Sequence, residues 1–208
     1  MEPRFATQTE ISNWDKLITN NPDGGTMFSC YEFAMQKLSG GYKVHFIMID
    51  KLAVTVLEKH APLLGKLWYL PKGPGVTNIE DLLNFLKIFK PFAKENGVFA
   101  IRIEPELSRN NQSSLSRHGL YKTRPIIPNP STITMDIREN LDKLLLNLPQ
   151  KGRYAIRRAE RDGVTIRLAE ASDENCQKMY ELLKETAEGQ FGIRSYDYFR
   201  TFWQRYEK

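Results

Sequence analysis

The stretch that decides the fold is KVHFIMIDKLAVTVLEKHAPLLGKLWYL, residues 43–70. It contains three runs rich in β-branched and aromatic residues, over Lys43–Asp50, Leu52–Lys59 and Lys66–Leu70. Such runs are typical of β-strands. The pair Asp50-Lys51 lies between the first two runs and predicts a tight hairpin turn. The stretch therefore predicts three consecutive strands of one sheet.

The segments on either side of these strands have the apolar spacing of helices. Before them, helices are predicted within residues 10–19 and over Ser29–Leu38. After them, Asn78 is expected to cap a helix that Gly97 ends, with a kink at Pro91. Two flanking strands are predicted, one near Phe5 and one over Val98–Glu104.

The next predicted elements complete one domain. A helix is predicted over Ser108–His118, followed by strands over Leu120–Ile126 and Thr132–Ile137. The resulting order of strands and helices matches the acyltransferase fold of the GNAT superfamily, an α/β fold with helices on both faces of a mixed sheet. We therefore expect residues 1–148 to form one GNAT-like domain, with Ile101 and Ile103 in its central sheet.

After this domain, the same order of elements begins again. A connector helix is predicted over Leu141–Leu148, a basic helix over Lys151–Asp162 and a strand over Val164–Ala169. Ser172 and Ser195 are each expected to cap a further helix. Residues 149–208 are accordingly predicted to be the first part of a second GNAT-like domain, without the strands that would complete it.

The composition sets limits on the class of protein. The chain has 208 residues, a hydrophobic content of 41% and a net charge of +5, values that fit a globular protein with an anionic partner. Cys30 and Cys176 are too few for a disulfide framework or a zinc set, and we expect two reduced thiols. The sequence shows no secretory signal and no membrane-spanning run, which predicts a cytoplasmic protein.

Five motifs, in order along the chain, resemble those of the Fem family of aminoacyl-tRNA-dependent transferases, which build peptidoglycan cross-bridges. Their order and spacing carry the resemblance more than any single motif does. Glu104 stands where the family usually has aspartate, and no arginine follows Thr186 at the family's usual spacing, so Arg194 is a candidate replacement. The motifs lie at Phe28–Phe33 with Lys37, Tyr69–Val76, Ile101–Glu106, Pro130–Ile137 and Gly152–Ala159.

The resemblance implies transfer of an amino acid from aminoacyl-tRNA to the stem peptide of a peptidoglycan precursor. The precursor is either a UDP-muropeptide or lipid II, and the second of these would bring the protein into peripheral contact with the inner membrane face. The resemblance implies no cofactor: neither a metal nor acetyl-coenzyme A takes part. Because the second domain is predicted to be incomplete, we expect the 208-residue chain to be inactive by itself.

Four residues of the first domain are candidates for the site. Lys37 lies near the end of a short helix, where it would either stabilise the helix C-terminus or pair with a substrate phosphate or carboxylate. Tyr69 and Arg102 belong to the family-like motifs and are predicted to bind substrate. Glu104 ends a predicted buried strand, where it would either pair with a base or, as the candidate catalytic residue, orient or deprotonate the attacking amine.

The loop Gly73-Pro74-Gly75 lies between a strand and a helix, where GNAT enzymes hold a pyrophosphate on backbone N–H groups. Pro74 lacks one of these donors. The loop is therefore predicted to be a tight structural turn rather than a cofactor site.

The basic helix is a candidate site for tRNA or phosphate. At about 100° per residue, its four arginines fall at about 200–340° from Lys151, away from the sector of Ala155, Ala159 and Ile156. Such a face is either an ordinary solvated surface or a binding surface for phosphates. The four are Arg153, Arg157, Arg158 and Arg161.

The last predicted helix contributes two further candidates and an aromatic stripe. Arg194 and Tyr198 are one turn apart, a spacing that allows a paired clamp on substrate, although Tyr198 could equally join the stripe. The stripe would be partly bare in this chain and is a candidate surface for self-association or for docking on the first domain. It comprises Phe199, Phe202, Trp203 and Tyr206.

Two other functions stay open from the sequence. The chain could be another GNAT-fold N-acyltransferase, a function that Pro74 disfavours. It could instead be a non-catalytic module whose first domain binds an anionic ligand and whose basic helix binds a partner such as RNA.

Overall fold

The computed structural model describes residues 2–107, 115–127, 133 and 135–207. These residues form two compact units, Met1–Pro128 and Asn129–Lys208. The domain boundary that the sequence places after residue 148 stays a prediction.

The first unit is built on a five-stranded mixed sheet in the order β1-β2-β3-β4-β5. The pairs β1–β2, β2–β3 and β3–β4 are antiparallel, and the pair β4–β5 is parallel. The predicted hairpin is confirmed, since Ile49 pairs with Leu52 across the two-residue turn. The strands are β1 Pro3–Phe5, β2 Lys43–Ile49, β3 Leu52–Ala61, β4 Gly65–Leu70 and β5 Val98–Ile103.

Helices cover both faces of this sheet. On one face, Trp14, Ala34 and Phe46 belong to a core between the early helices and the strands. On the other face, Trp68 and Phe89 belong to the larger core under the fourth helix. The helices are α1 Gln8–Ser12, α2 Trp14–Thr19, α3 Tyr31–Ser39 and α4 Ile79–Glu95, with a 3-10 turn at Met27–Ser29.

Local capping explains where α4 begins and ends. The Asn78 side chain accepts a hydrogen bond from the Asp81 backbone N–H at 2.9 Å, which confirms the predicted cap. Gly97, with φ of 76°, follows the end of α4. The helix continues through Pro91 to Glu95, so this proline does not end it.

A buried polar cluster lies at one end of the larger core. The Glu58 carboxylate accepts a hydrogen bond from Trp68 Nε1 at 2.8 Å, and His45 Nε2 lies 2.8 Å from the same oxygen. Burial lowers the pKa of His45 more than the bond to Glu58 raises it, and Lys43 and Lys66 lower it further. Burial would raise the pKa of Glu58, but the bonds from Trp68 and His45 lower it overall.

This cluster predicts a loss of stability in mild acid. His45 has an ordinary pKa of 6.5 and a lower one in the folded chain, so below about pH 6.5 the unfolded chain binds more protons than the folded chain. The thermal midpoint should therefore fall as pH decreases below that value. Glu58 adds a second decrease of the thermal midpoint below its ordinary pKa of 4.5.

Thermal unfolding of the wild type and of His45→Gln at several pH values checks this pH dependence. The variant should lose the first step, and an identical profile in the variant would contradict the assignment.

Three sequence predictions for the end of the first unit need correction. Ile101 and Ile103 do lie in the sheet, but β5 is its last strand within the described residues and is half-buried rather than a core strand. The segment Leu120–Ile126 forms no strand. Residues 115–118 form a 3-10 turn, and the rest of the predicted helix over Ser108–His118 lies outside the described residues.

The regular elements of the second unit, within the described residues, are all helices. The predicted connector, basic helix and two capped helices are confirmed, and the Ser172 and Ser195 side chains accept hydrogen bonds from Asn175 N and Tyr198 N. The helices are α5 Leu141–Asn147, α6 Gln150–Arg161, α7 Asp173–Ala187 and α8 Tyr196–Tyr206.

The two strands predicted for this part of the chain are not observed. Val164–Ala169 is irregular, and Ile166 and Leu168 are 95% and 101% exposed. Thr132–Ile137 lies partly outside the described residues, and its described positions form no strand. Alternating apolar residues form a strand only when a neighbouring strand accepts their hydrogen bonds.

Among the described residues, no helix is both long enough and apolar enough to cross a membrane.

Candidate functional site

The predicted site residues of the first unit lie on one face of the sheet. Tyr69 is buried and packs in a cluster with Phe33 of α3 and Leu57 of β3. Lys37 lies one turn after Phe33, and its Nζ is 4.8 Å from the centre of the Phe33 ring. This cation–π contact holds the Lys37 ammonium beside the Tyr69 cluster. The Phe33 ring therefore lies between the two predicted site residues, Lys37 and Tyr69, and packs with both.

Arg102 and Glu104 lie next to Tyr69 at the end of β5. The parallel ladder pairs Tyr69 with Arg102. The Tyr69 hydroxyl donates a hydrogen bond of 2.6 Å to Glu104 Oε2. The other carboxylate oxygen, Oε1, accepts the backbone N–H of Ile126 at 2.5 Å. Tyr69, Arg102 and Glu104 are therefore brought together by the pairing of β4 with β5.

The environment of Tyr69 keeps its hydroxyl protonated. Burial, and then the hydrogen bond to Glu104, raise the pKa of Tyr69 well above its ordinary value of 10.0. The phenol therefore stays protonated and acts as a donor at neutral pH. Both oxygens of Glu104 accept hydrogen bonds, one from the Tyr69 hydroxyl and one from the Ile126 backbone, so the carboxylate is held in place. This geometry suits a positioning role for Glu104.

Arg102 carries an unsatisfied donor. Its Nε is buried and has no hydrogen-bond partner within the part of the chain that the structure describes. A buried donor without a partner is costly, and an anionic oxygen would satisfy it. Arg102 is therefore the residue of this cluster best prepared for an anionic ligand.

The loop Gly73-Pro74-Gly75 is packed into the interior. Pro74 is fully buried, and a Cβ added at Gly75 would lie 2.6 Å from Asn21 Nδ2. The Asn21 side chain is itself fixed, because it donates to Ala53 O at 2.9 Å and accepts from Ala53 N at 3.0 Å. This packing fits the predicted structural turn.

The four arginines of α6 have different environments. The Arg153 guanidinium donates to Leu146 O at 3.1 Å and to Leu148 O, so it caps the end of α5. Arg158 pairs weakly with Asp162 at 3.4 Å. Arg157 and Arg161 have no carboxylate partner among the described residues. The predicted face therefore divides into an anchoring arginine, a paired one and two that are available to phosphates.

The sequence interpretation missed the place of Tyr154 on this helix. A shallow groove along α6 is lined by Tyr154 together with Arg157 and Arg161. Its helical angle, about 300° from Lys151, would have placed the ring beside these arginines.

The two candidate residues Arg194 and Tyr198 are also in contact. The Arg194 guanidinium lies 4.7 Å from the centre of the Tyr198 ring. Tyr198 in turn packs edge-on against Phe199 at 5.6 Å, so it contributes both to the pair and to the aromatic stripe.

The aromatic stripe is partly covered by α7. Phe199 lies 6.1 Å from Tyr180 and 5.6 Å from Trp203, measured between ring centres, and only Tyr206 of the four stripe residues is exposed. Self-association through this stripe stays a prediction.

The described residues contain no cluster of three or more histidine, cysteine, aspartate or glutamate side chains that could hold a metal ion.

Comparison with known proteins connects this fold to a family. Residues 118–208 match the model of the FemAB family. The structure is similar to one described as the crystal structure of FemX, with a TM-score of 0.74 and 24% sequence identity. That match covers 99% of this chain and 55% of the other, so the chain spans about half the length of the structure it matches. No curated protein matches the sequence significantly.

The mixed sheet and the structural match define a GNAT-like fold of the kind found in FemX. The family match includes the basic helix, where the motif Gly152–Ala159 lies. The family match covers the last two of the five motifs, and the structural match covers the fold of the whole chain.

Proposed function

We propose that this chain supplies the precursor-binding domain, and the beginning of the donor-binding domain, of an aminoacyl-tRNA-dependent transferase that builds peptidoglycan cross-bridges. The observation that carries the proposal is the match of residues 118–208 to the FemAB family. The side chains on the sheet face of the first unit support it, since they suit an acceptor that carries both anionic groups and an amine.

Lys37 and Arg102 provide the cationic part of the acceptor site. A UDP-linked muropeptide or lipid II carries phosphates and carboxylates. Lys37 offers a point charge, and Arg102 offers planar donors, one of which is buried without a hydrogen-bond partner among the described residues. We assign the anionic groups of the precursor to these two residues and contact with its sugar or peptide part to Tyr69.

Glu104 orients the attacking amine in this proposal. In the reaction, the stem-peptide amine attacks the ester carbonyl of aminoacyl-tRNA, an amide bond forms, and the ester C–O bond breaks to release the ribose hydroxyl. The amine loses one proton, and the leaving oxygen gains one. Glu104 is held by Tyr69 and by the Ile126 backbone, and a fixed carboxylate can accept a hydrogen bond from the amine and place it for attack.

The donor side of the reaction is assigned to the second unit. The available arginines of α6, Arg157 and Arg161, suit the phosphates of tRNA, with Arg153 and Arg158 in supporting positions. The stacked pair of Arg194 and Tyr198 is assigned to substrate contact near the donor.

Two other functions were open from the sequence. A GNAT-type acyl-coenzyme A donor is disfavoured by the packing of Pro74 and Gly75 against Asn21. A non-catalytic module with the same ligands would bind both precursor and RNA, so transfer activity separates it from the enzyme.

A titration of the 208-residue chain with UDP-muropeptide, followed by calorimetry, tests the acceptor assignment. Lys37→Ala and Arg102→Ala should each weaken binding by about tenfold or more, because each removes a hydrogen bond to a charged group. Acetyl-coenzyme A should not bind in the micromolar range.

The matched control is Lys87→Ala, an exposed lysine on α4, on the other face of the sheet. It removes the same charge as Lys37→Ala and should leave precursor affinity unchanged. Equal weakening by Lys87→Ala and Lys37→Ala, or micromolar binding of acetyl-coenzyme A, would refute the assignment.

A further inference from the structure

The exposed face of α6 combines charge with an aromatic ring. Arg157 and Arg161 are separated by one turn, about 6 Å along the helix axis, and Tyr154 lies one turn before Arg157. The three side chains line the same groove. Tyr154 is 58% exposed, so its ring is accessible to a ligand.

The structure assigns no internal role to these three side chains. Within the described residues, Tyr154 makes no hydrogen bond or ring contact, and Arg157 and Arg161 form no ion pair. Arg161 Nε reaches the Arg157 carbonyl at only 3.4 Å. Glu160 lines the groove as well, and its single negative charge does not offset the arginines. The groove therefore carries a net positive charge beside an accessible π-face.

An anionic membrane and a nucleic acid both attract such a helix. The size of the apolar face of α6 indicates which of the two it suits. A helix that lies in a membrane surface needs a broad face of large apolar side chains. Opposite its arginines, α6 has only Ile156 with Ala155 and Ala159. An exposed aromatic ring between cations is instead the arrangement that binds unpaired bases.

We infer that α6 binds single-stranded RNA, with the Tyr154 ring stacked on an unpaired base while Arg157 and Arg161 contact the flanking phosphates. This inference rests on the proposed function, in which the donor is an aminoacyl-tRNA, and names the part of that donor that α6 recognises. A stacked base gives preference for an unpaired strand, because the faces of paired bases are covered by their neighbours.

Fluorescence anisotropy with the 208-residue chain and a labelled, unstructured RNA tests the inference, with a duplex of the same sequence for comparison. The single strand should bind more tightly than the duplex. Tyr154→Ala should weaken single-strand binding on the order of tenfold, and Tyr154→Phe should retain it, since stacking needs the ring and not the hydroxyl. A 2-aminopurine base in the RNA should be quenched on binding to wild type and less quenched by Tyr154→Ala.

The salt dependence separates stacking from charge. The double variant Arg157→Ala/Arg161→Ala should reduce the slope of log affinity against log salt by about 1.4, the value for two single-strand phosphate contacts. Tyr154→Ala should leave this slope unchanged. Lys151→Ala, at a position of the same helix that does not line the groove, is the control for loss of one positive charge. Circular dichroism of each variant checks that the helices remain.

Two results would overturn the inference. One is equal affinity of Tyr154→Ala and wild type, with the arginine variant still reducing the salt slope; that result removes the stacking and leaves the RNA contact of the proposed function intact. The other is binding of anionic vesicles, but not RNA, that depends on Arg157 and Arg161. The acceptor half of the proposed function is judged separately by the muropeptide titration.

Discussion

Replacement of Trp14 by alanine should lower the free energy of unfolding of the first unit by about 3–5 kcal/mol. Trp14 is 1% exposed and fills the core between α2 and the sheet. Its Nε1 donates to Thr55 Oγ1 at 2.8 Å and lies 3.2 Å from Ser29 O. The substitution leaves a large cavity and removes a buried donor shared by two acceptors. Urea unfolding followed by circular dichroism measures the loss.

Trp14→Ala should also weaken the acceptor site. Ser29 directly precedes Cys30, the residue that caps α3, and α3 carries Lys37. Loss of the Trp14 contact to Ser29 should therefore reduce precursor affinity in the folded variant. Two substitutions serve as controls: Trp14→Phe, which keeps most of the volume, and Phe99→Ala, at a residue that is 47% exposed. Both should lower the free energy of unfolding clearly less than Trp14→Ala does. An equal decrease for Phe99→Ala and Trp14→Ala would contradict the assignment of the core.

The second large effect concerns catalysis: the 208-residue polypeptide assayed alone should not transfer an amino acid. Acyl transfer needs a positioned amine, an acceptor for its proton, and donors for the developing oxyanion. In the proposed function, Lys37, Arg102 and Glu104 of the first unit position the acceptor. That proposal assigns no described residue as the proton acceptor or as the donor to the oxyanion. The chain spans only 55% of the FemX structure, and we assign the remaining chemistry to the part of such an enzyme that this polypeptide does not cover.

The sequence predicted the parts of the fold that depend on neighbouring residues. The turn at Asp50-Lys51, the cap at Asn78 and the caps at Ser172 and Ser195 all rest on contacts within a few residues. The strands β2 and β3, which are partners next to each other in the chain, were predicted correctly, and so were β1 and β5, whose partners lie further away. Leu120–Ile126 and Val164–Ala169 were also predicted as strands but form none, since the local pattern does not supply a partner.

Long-range contacts explain what the sequence could not predict at the site. Residue types and motifs indicated Tyr69 and Glu104, but not that the two are joined by a hydrogen bond across 35 positions. Nor could the sequence indicate that the Ile126 backbone N–H donates to the second oxygen of Glu104, the contact that completes the anchoring of this carboxylate. Likewise, the sequence does not distinguish the role of Arg153 from that of Arg157, whereas the structure shows that Arg153 donates hydrogen bonds to the end of α5.

The measurement that tests the central claim most directly is a transfer assay with charged tRNA and a limiting amount of UDP-muropeptide. It is run with the 208-residue chain alone and with that chain added in excess to an intact FemAB family transferase. If the chain binds the precursor without converting it, it should show no turnover alone and should slow the intact enzyme by withholding substrate. The variant Lys37→Ala/Arg102→Ala should not slow it. Turnover by the chain alone at the rate of the intact enzyme, or no effect of the wild-type chain on that enzyme, would contradict the account.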